Sequence, residues 1–224
     1  MEPLVVIPAR GGSKGVPRKN VKKLAGKPLI NYTTEIAREI FDDEIICVST
    51  DDREIKKVAE QQGLKVPFLR PKHLASDTTG MREVLQHALE YYEKERFQID
   101  TVILLQPTSP LRRIKHVKEA IELYKQGLDR VVSVKETSAN PYYLLYEENE
   151  QGYLEKCKKG NFKRRQDCPK VWEVNGAVYV INAESLRRDD YKNKKVVKYE
   201  MDELSSIDID TKLDWAIAEK LLKD

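Results

Sequence analysis

Cysteine is scarce in this 224-residue chain, limited to Cys47, Cys157 and Cys168. An odd count without a close-spaced pair argues against a disulfide framework and against a structural zinc site. Histidine is equally rare, and His73, His87 and His116 stand in or beside helical patterns with no nucleophile pattern nearby. No apolar run approaches the ~20 residues of a membrane-spanning helix. The short apolar run near the N-terminus has no basic segment before it, so no signal peptide is expected. A reducing cytoplasm is the expected setting. Excess charge is missing too: 40 Lys and Arg against 37 Asp and Glu leave a net charge of +3. Such balance speaks against a charged, disordered chain. It also gives no global drive toward nucleic acid, so any anion site must come from local clustering.

What the chain does have is a rhythm. Short apolar runs at Leu4 to Pro8, Ile45 to Ser49, Lys65 to Leu69, Thr101 to Leu105 and Arg130 to Val134 read as strands. Between them, Leu29 to Ile40, Arg53 to Gln62, a segment capped by Thr78 or Thr79 and running through Tyr92, and Ile114 to Lys125 read as helices. Pro28 suits a first helical turn, and Gly63 a left-handed cap. Continuously apolar strands suit a mostly parallel sheet covered on both faces. The expected fold is therefore α/β and three-layered, with ligands beyond the carboxyl ends of the strands. The rhythm breaks after Val134. Residues 137–172 are polar and rich in Tyr and Lys, which predicts an inserted β-arm. The core is then residues 1–136 and 173–224, closed by Asn175 to Ile181 and a last helix over Leu213 to Leu222.

Four stretches carry chemistry. Directly after the first strand comes Ala9-Arg10-Gly11-Gly12-Ser13-Lys14-Gly15, followed by Arg18-Lys19-Asn20. Glycines let backbone approach a ligand closely, and four cations within ten residues suit a phosphate group. The spacing matches neither the Walker A loop nor the dinucleotide fingerprint. Asp208-Ile209-Asp210, on extended backbone, points two carboxylates to one face. Beside a polyanion such a pair suits Mg2+; the competing reading has Asp210 or Thr211 capping the last helix. Gln106-Pro107-Thr108-Ser109-Pro110 is a rigid loop presenting groups able to read a base or a sugar hydroxyl, or a plain strand-to-helix connection. In the arm, Lys156, Lys158, Lys159, Lys163, Arg164 and Arg165 either form a solvated face or include a clamp for an acidic substrate. Ser49-Thr50-Asp51-Asp52 reads as a helix cap. Arg70-Pro71 and Ser76-Asp77-Thr78-Thr79-Gly80 suit either a nucleobase contact or a cap.

Taken in order, these stretches resemble the acylneuraminate cytidylyltransferases, the synthetases of CMP-sialic acid and of related nine-carbon sugar acids. The likeness runs from Val6-Ile7-Pro8-Ala9-Arg10-Gly11-Gly12 through Leu104 to Arg112 and Asn175 to Tyr179, ending at Ser206 to Thr211. The resemblance implies a nucleotide-diphospho-sugar transferase fold whose arm makes a homodimer. It implies CTP and a nine-carbon 2-keto sugar acid as substrates, with Mg2+ as cofactor and neither nucleic acid nor membrane as partner. By motif position, Arg10, Gly11, Gly12, Ser13, Lys14 and Lys19 take the triphosphate, and Asn20, Arg70 and Asp77 lie about the nucleotide. Gln106, Thr108, Ser109 and Asn175 face the sugar. Arg165 and Gln166 approach the sugar acid from the arm, across the dimer. Asp208 and Asp210 hold the metal, and Arg10, Lys19 and Asp210 carry catalysis. A 3-deoxy-octulosonate-type cytidylyltransferase and a silent nucleotide-binding module are the alternatives. Two positions depart from the pattern. Met81 stands where some relatives have a small hydroxyl residue, and Glu173 where some have an arginine.

Overall fold

The computed structural model describes residues 1–188 and 195–223. A six-stranded sheet forms its centre, from β1 (Pro3–Pro8), β4 (Ile46–Ser49), β5 (Thr101–Leu104), β6 (Arg130–Glu136), β9 (Trp172–Asn182) and β10 (Val196–Glu200). The spatial order is β10-β6-β9-β5-β1-β4. The β1–β4, β1–β5 and β6–β10 ladders are parallel, whereas β9 runs antiparallel to both of its neighbours. Two small antiparallel ladders complete the strands: β2 (Lys23–Leu24) with β3 (Lys27–Pro28), and β7 (Tyr146–Glu148) with β8 (Leu154–Lys156).

The strands are continuously apolar because both sheet faces are covered. Along β1, Val5 and Ile7 join a cluster with α1 (Leu29–Arg38), α2 (Arg53–Gln61) and α4 (Ile114–Leu123). Leu4 and Val6, pointing the other way, join α3 (Met81–Lys94) and α5 (Ala183–Arg187). All four β1 side chains are fully buried, and each such burial is worth about 1.5–3 kcal/mol. A third cluster seats α6 (Lys212–Lys223), through Trp215 and Ala218, against Val16, Leu24 and Ile209. The phosphate-type loop is thereby tied to the Asp208–Asp210 segment.

Helix boundaries follow local chemistry. Asp52 caps α2, its carboxylate accepting from the backbone of Glu54 (2.8 Å) and Ile55 (3.1 Å), and Gly63 follows that helix with φ of +90°. At α6 it is Thr211 that caps: its hydroxyl accepts from Asp214 N–H, and the Asp214 carboxylate accepts from Thr211 N–H at 2.7 Å. Asp210 N–H joins the box at 3.1 Å from the same Asp214 carboxylate, and the Asp208 and Asp210 carboxylates stay outside it.

Several expectations are corrected. Residues 65–69 form no strand; Val66 and Phe68 alternate toward the core, but the segment stays off the β4 edge and touches it through Arg70 N–H to Thr50 C=O. Pro28 is the cap residue of α1 rather than a first-turn residue. The cap of α3 is Gly80, while the Thr79 hydroxyl is spent on His73 C=O. In residues 137–172 the β7–β8 hairpin is the regular part. The chain leaves the sheet at Glu136 and re-enters at Trp172, which pair with each other.

Candidate active site

A cleft of about 590 Å³ opens at the carboxyl ends of β1, β4 and β5. Its size falls within the ~300–1,000 Å³ typical of small-molecule sites. Arg10, Ser13, Lys14, Gly15, Lys19 and Asn20 line one wall. This loop is held from within and from the end of β4: Asn20 Nδ2 donates to Arg10 C=O at 3.0 Å, and Gly11 N–H donates to Asp51 Oδ1 at 3.0 Å. A Cβ at Gly11 would collide with the Asp52 carboxylate, and one at Gly15 with the Asp210 carbonyl. Glycine is needed at both for close approach rather than for a positive φ.

The cations face carboxylates. Arg10 and Lys14 converge on Asp77, at 2.8 and 2.6 Å. Lys14, ahead of Arg10, holds the Asp77 carboxyl below its usual range. Lys19 is buried, and its ammonium donates to Ile209 C=O and, at 3.1 Å, to Asp210 Oδ1. Arg70 is buried with Nε and Nη2 unbonded, and burial lowers its pKa.

Opposite stand the two aspartates. Asp208 is largely buried and Asp210 exposed, and both line the cleft. Burial raises the Asp208 pKa above the usual carboxylate range, the Asp210 charge adding to the effect, while a Thr108 hydrogen bond opposes it. Asp208 Oδ1 is buried without a hydrogen-bond partner. An unpaired, desolvated carboxylate oxygen beside a second carboxylate fits a hard divalent cation. Among the described residues no group of three His, Cys, Asp or Glu gathers to hold a metal. Such an ion would need oxygens from water and substrate to complete its shell.

Gln106, Pro107 and Thr108 form the next stretch of wall. Thr108 C=O accepts from Ile209 N–H at 2.8 Å, which fixes the Gln106 loop against the Asp208 segment. Gly176, at φ +74°, leaves room for Gln106 Oε1 and lies near Asp208 Oδ2. Leu74, Met81 and Val84 supply an apolar side.

The structure therefore gathers Arg10, Ser13, Lys14, Lys19, Asn20, Arg70, Asp77, Gln106, Thr108, Asp208 and Asp210 around one cleft. It does not bring the rest of the expected set there. Gly11 and Gly12 belong to the same loop but do not line the cleft. Ser109 is fully buried. Asn175 is buried as well, accepting from the Ser133 hydroxyl at 2.6 Å and donating to Ser206 at 2.8 Å. Arg165 and Gln166 sit on the arm in a short turn, Arg165–Asp167. Arg165 lines a separate cleft of about 260 Å³ with Lys135, Glu136, Glu173 and Glu203. Leu74 and Val84 were missed by sequence reasoning; no signal short of the fold separates them from core residues.

A cationic glycine loop and a carboxylate pair, facing each other across a cleft at the carboxyl edge of an α/β sheet, define a nucleotidyltransferase-type site. Residues 4–222 match the cytidylyltransferase family, and the chain belongs to that family. It is 35% identical over 225 residues to the CMP-N,N'-diacetyllegionaminic acid synthase of Legionella pneumophila, covering 100% of this chain and 97% of that protein. To the N-acylneuraminate cytidylyltransferase of Streptococcus agalactiae it is 36% identical over 220 residues, which is 96% of this chain and 52% of that protein. The fold is that of a CMP:2-keto-3-deoxy-manno-octonic acid synthetase solved with CTP. The TM-score is 0.71 at 17% identity, with 100% of this chain and 99% of that chain covered.

Proposed function

We propose that the protein joins CMP, taken from CTP, to a nine-carbon 2-keto sugar acid and releases pyrophosphate. The observation that carries this reading is the Arg10–Asn20 loop facing Asp208 and Asp210 across one cleft, with Gln106 and Thr108 between them. In the reaction the anomeric hydroxyl oxygen bonds to the α-phosphorus while the bond to pyrophosphate breaks. Such a displacement depends on alignment and charge neutralisation more than on covalent help.

Arg10, Lys14 and Lys19 would take the triphosphate, so that Asp77 and Asp210 must yield partners to it. Arg70 and Asn20 would lie at the nucleoside. Gln106 and Thr108 would orient the sugar acid. Asp208 and Asp210 would hold Mg2+, which supplies charge neutralisation at the α-phosphate and lowers the pKa of bound water. Asp210, the exposed member of the pair, is the carboxylate best placed to accept the hydroxyl proton. Residues 137–172 would form the dimer contact and bring Arg165 and Gln166 to the neighbouring subunit's sugar acid. The exposed Leu144, Tyr153 and Leu154 on this arm support that reading.

The test is incubation with CTP, Mg2+ and a panel of neuraminic, legionaminic, pseudaminic and 3-deoxy-octulosonic acids, with pyrophosphate release followed and the product weighed. Release is expected with at least one nine-carbon acid. CTP binding without release from any of them would sink the proposal in favour of a silent nucleotide-binding module. Turnover confined to the octulosonic acid would replace the sugar class.

A further inference from the structure

Arg112 lies under the floor of the cleft, 2% exposed, and contributes no atom to the cleft lining. Its Nη1 donates to Gln106 C=O at 3.0 Å and to Ala177 C=O at 2.7 Å. Nη2 donates to the Thr33 hydroxyl of α1 at 2.6 Å, and Nε has no partner. Among the described residues no carboxylate pairs with this guanidinium. Burial alone acts on it and brings its pKa down to about 9, which leaves it protonated at neutral pH.

A buried cation without a counter-ion is expensive, and a neutral side chain would pack there at lower cost. What only a guanidinium provides is several donors in one rigid plane. Here that plane joins the two segments whose meeting sets the sugar side of the cleft. Gln106 belongs to the first. Ala177 belongs to the second, next to Gly176, against which Gln106 Oε1 rests and near which Asp208 Oδ2 lies. Thr33 fixes the guanidinium to the buried face of α1, beside Ile30, Thr34 and Ala37.

We propose that Arg112 is a positioning residue for the sugar-acid substrate, fixing the Gln106 backbone from beneath the cleft so that its carboxamide rests against Gly176. The assignment rests on the proposed cytidylyl transfer. It separates the two substrates: the nucleotide wall, built from the β1 loop and Arg70, shares no bond with Arg112.

The experiment compares wild type with Arg112→Lys, Thr33→Val and Thr33→Ser. It measures KM for each substrate, kcat, CTP affinity by calorimetry, and thermal unfolding. Lysine keeps the charge but cannot span both carbonyls and Thr33. The expected result for Arg112→Lys is a rise of at least about fivefold in sugar-acid KM, with CTP KM and CTP affinity within about twofold of wild type. Thr33→Val should shift the same constant by about two- to threefold, and Thr33→Ser, which keeps the hydroxyl, should restore it. The Thr33 hydroxyl also reaches Gln106 C=O, at 3.5 Å, so Thr33→Val tests the same Arg112–Thr33–Gln106 brace should Arg112→Lys fail to fold. A strut with no positioning role would lower the unfolding temperature and the active fraction while leaving both KM values unchanged. That result, or a parallel rise in both KM values, would overturn the assignment. A wild-type chain that binds CTP but turns over no sugar acid would overturn the proposed function itself, and this assignment with it.

Discussion

Replacing Gly15 by alanine tests how tightly the two walls of the cleft are coupled. A Cβ at this position would fall deep inside the van der Waals envelope of the Asp210 carbonyl oxygen. The obstacle is backbone, so neither side can swing away as a side chain would. The β1 loop and the Asp208–Asp210 segment must part by ~1 Å before the contact ceases to be repulsive. That displacement pulls Lys19 from Ile209 C=O and Asp210, and it shifts Asp210 relative to Asp208. A misplacement of ~1 Å in a reacting arrangement costs on the order of 100-fold, so kcat/KM should fall by about that factor. The lost hydrogen bonds to a buried ammonium are worth about 1.5–3 kcal/mol. At about 2–4 °C per kcal/mol for a chain of this size, the unfolding temperature should drop by ~3–12 °C. Pyrophosphate-release kinetics at a temperature where both proteins are folded, together with calorimetric melting, separate the two effects. A Gly15→Ala enzyme within about threefold of wild-type kcat/KM would refute the coupling.

Other expectations follow from single residues. Asp210→Asn should lower turnover at least ~100-fold; near-normal turnover would remove it from the chemistry. Lys19→Ala should raise CTP KM, and unchanged CTP kinetics would end its phosphate role. Asp208→Asn should stabilise the metal-free protein and abolish any rise in melting temperature on adding Mg2+. The pKa of Asp208 is raised by burial, so its ionisation costs folded-state stability as pH climbs above the ordinary carboxylate value. A mutant no more stable than wild type at pH 7 contradicts this. His116 accepts from Arg113 N–H through Nδ1, and burial lowers its pKa. The unfolded chain then binds the proton more readily, so stability should fall as pH drops below about 6.5. Substituting His116 with Asn should flatten that part of the curve, and an unaltered slope would exonerate the histidine.

Apolar runs such as Leu4 to Pro8 and Thr101 to Leu105 were legible as strands because both sheet faces are covered and every side chain on them except Pro8 is buried. β10 was not, because Val196–Glu200 is an edge strand with one buried side chain, and so lacks an apolar run. Residues 65–69 misled for the opposite reason: Val66 and Phe68 alternate toward the core without a ladder to join. In the site, the loop cations and the two aspartates announced themselves through charge clustering. Asn175 and Ser109 carried the same polar signal but are buried, Asn175 bonding Ser133 and Ser206 and the Ser109 hydroxyl bonding nothing among the described residues. Burial of a polar side chain depends on partners such as Ser133, distant in sequence. The partnership of Lys19 with Ile209 C=O lies beyond any local pattern, joining residues 190 positions apart.

The one reversed strand has a lasting consequence for how such a protein diversifies. Because β9 runs against its neighbours, β6 ends and β9 begins at the same edge, and the excursion between them hangs from one rung, Glu136 to Trp172. Thr137 N–H to Val171 C=O, at 3.0 Å, closes its neck. Doubling the length of a loop clamped in this way costs only about 0.6 kcal/mol. The excursion is a cassette: evolution can lengthen, trim or exchange it, and so retune what docks at the rim, while the ladders beneath keep their register.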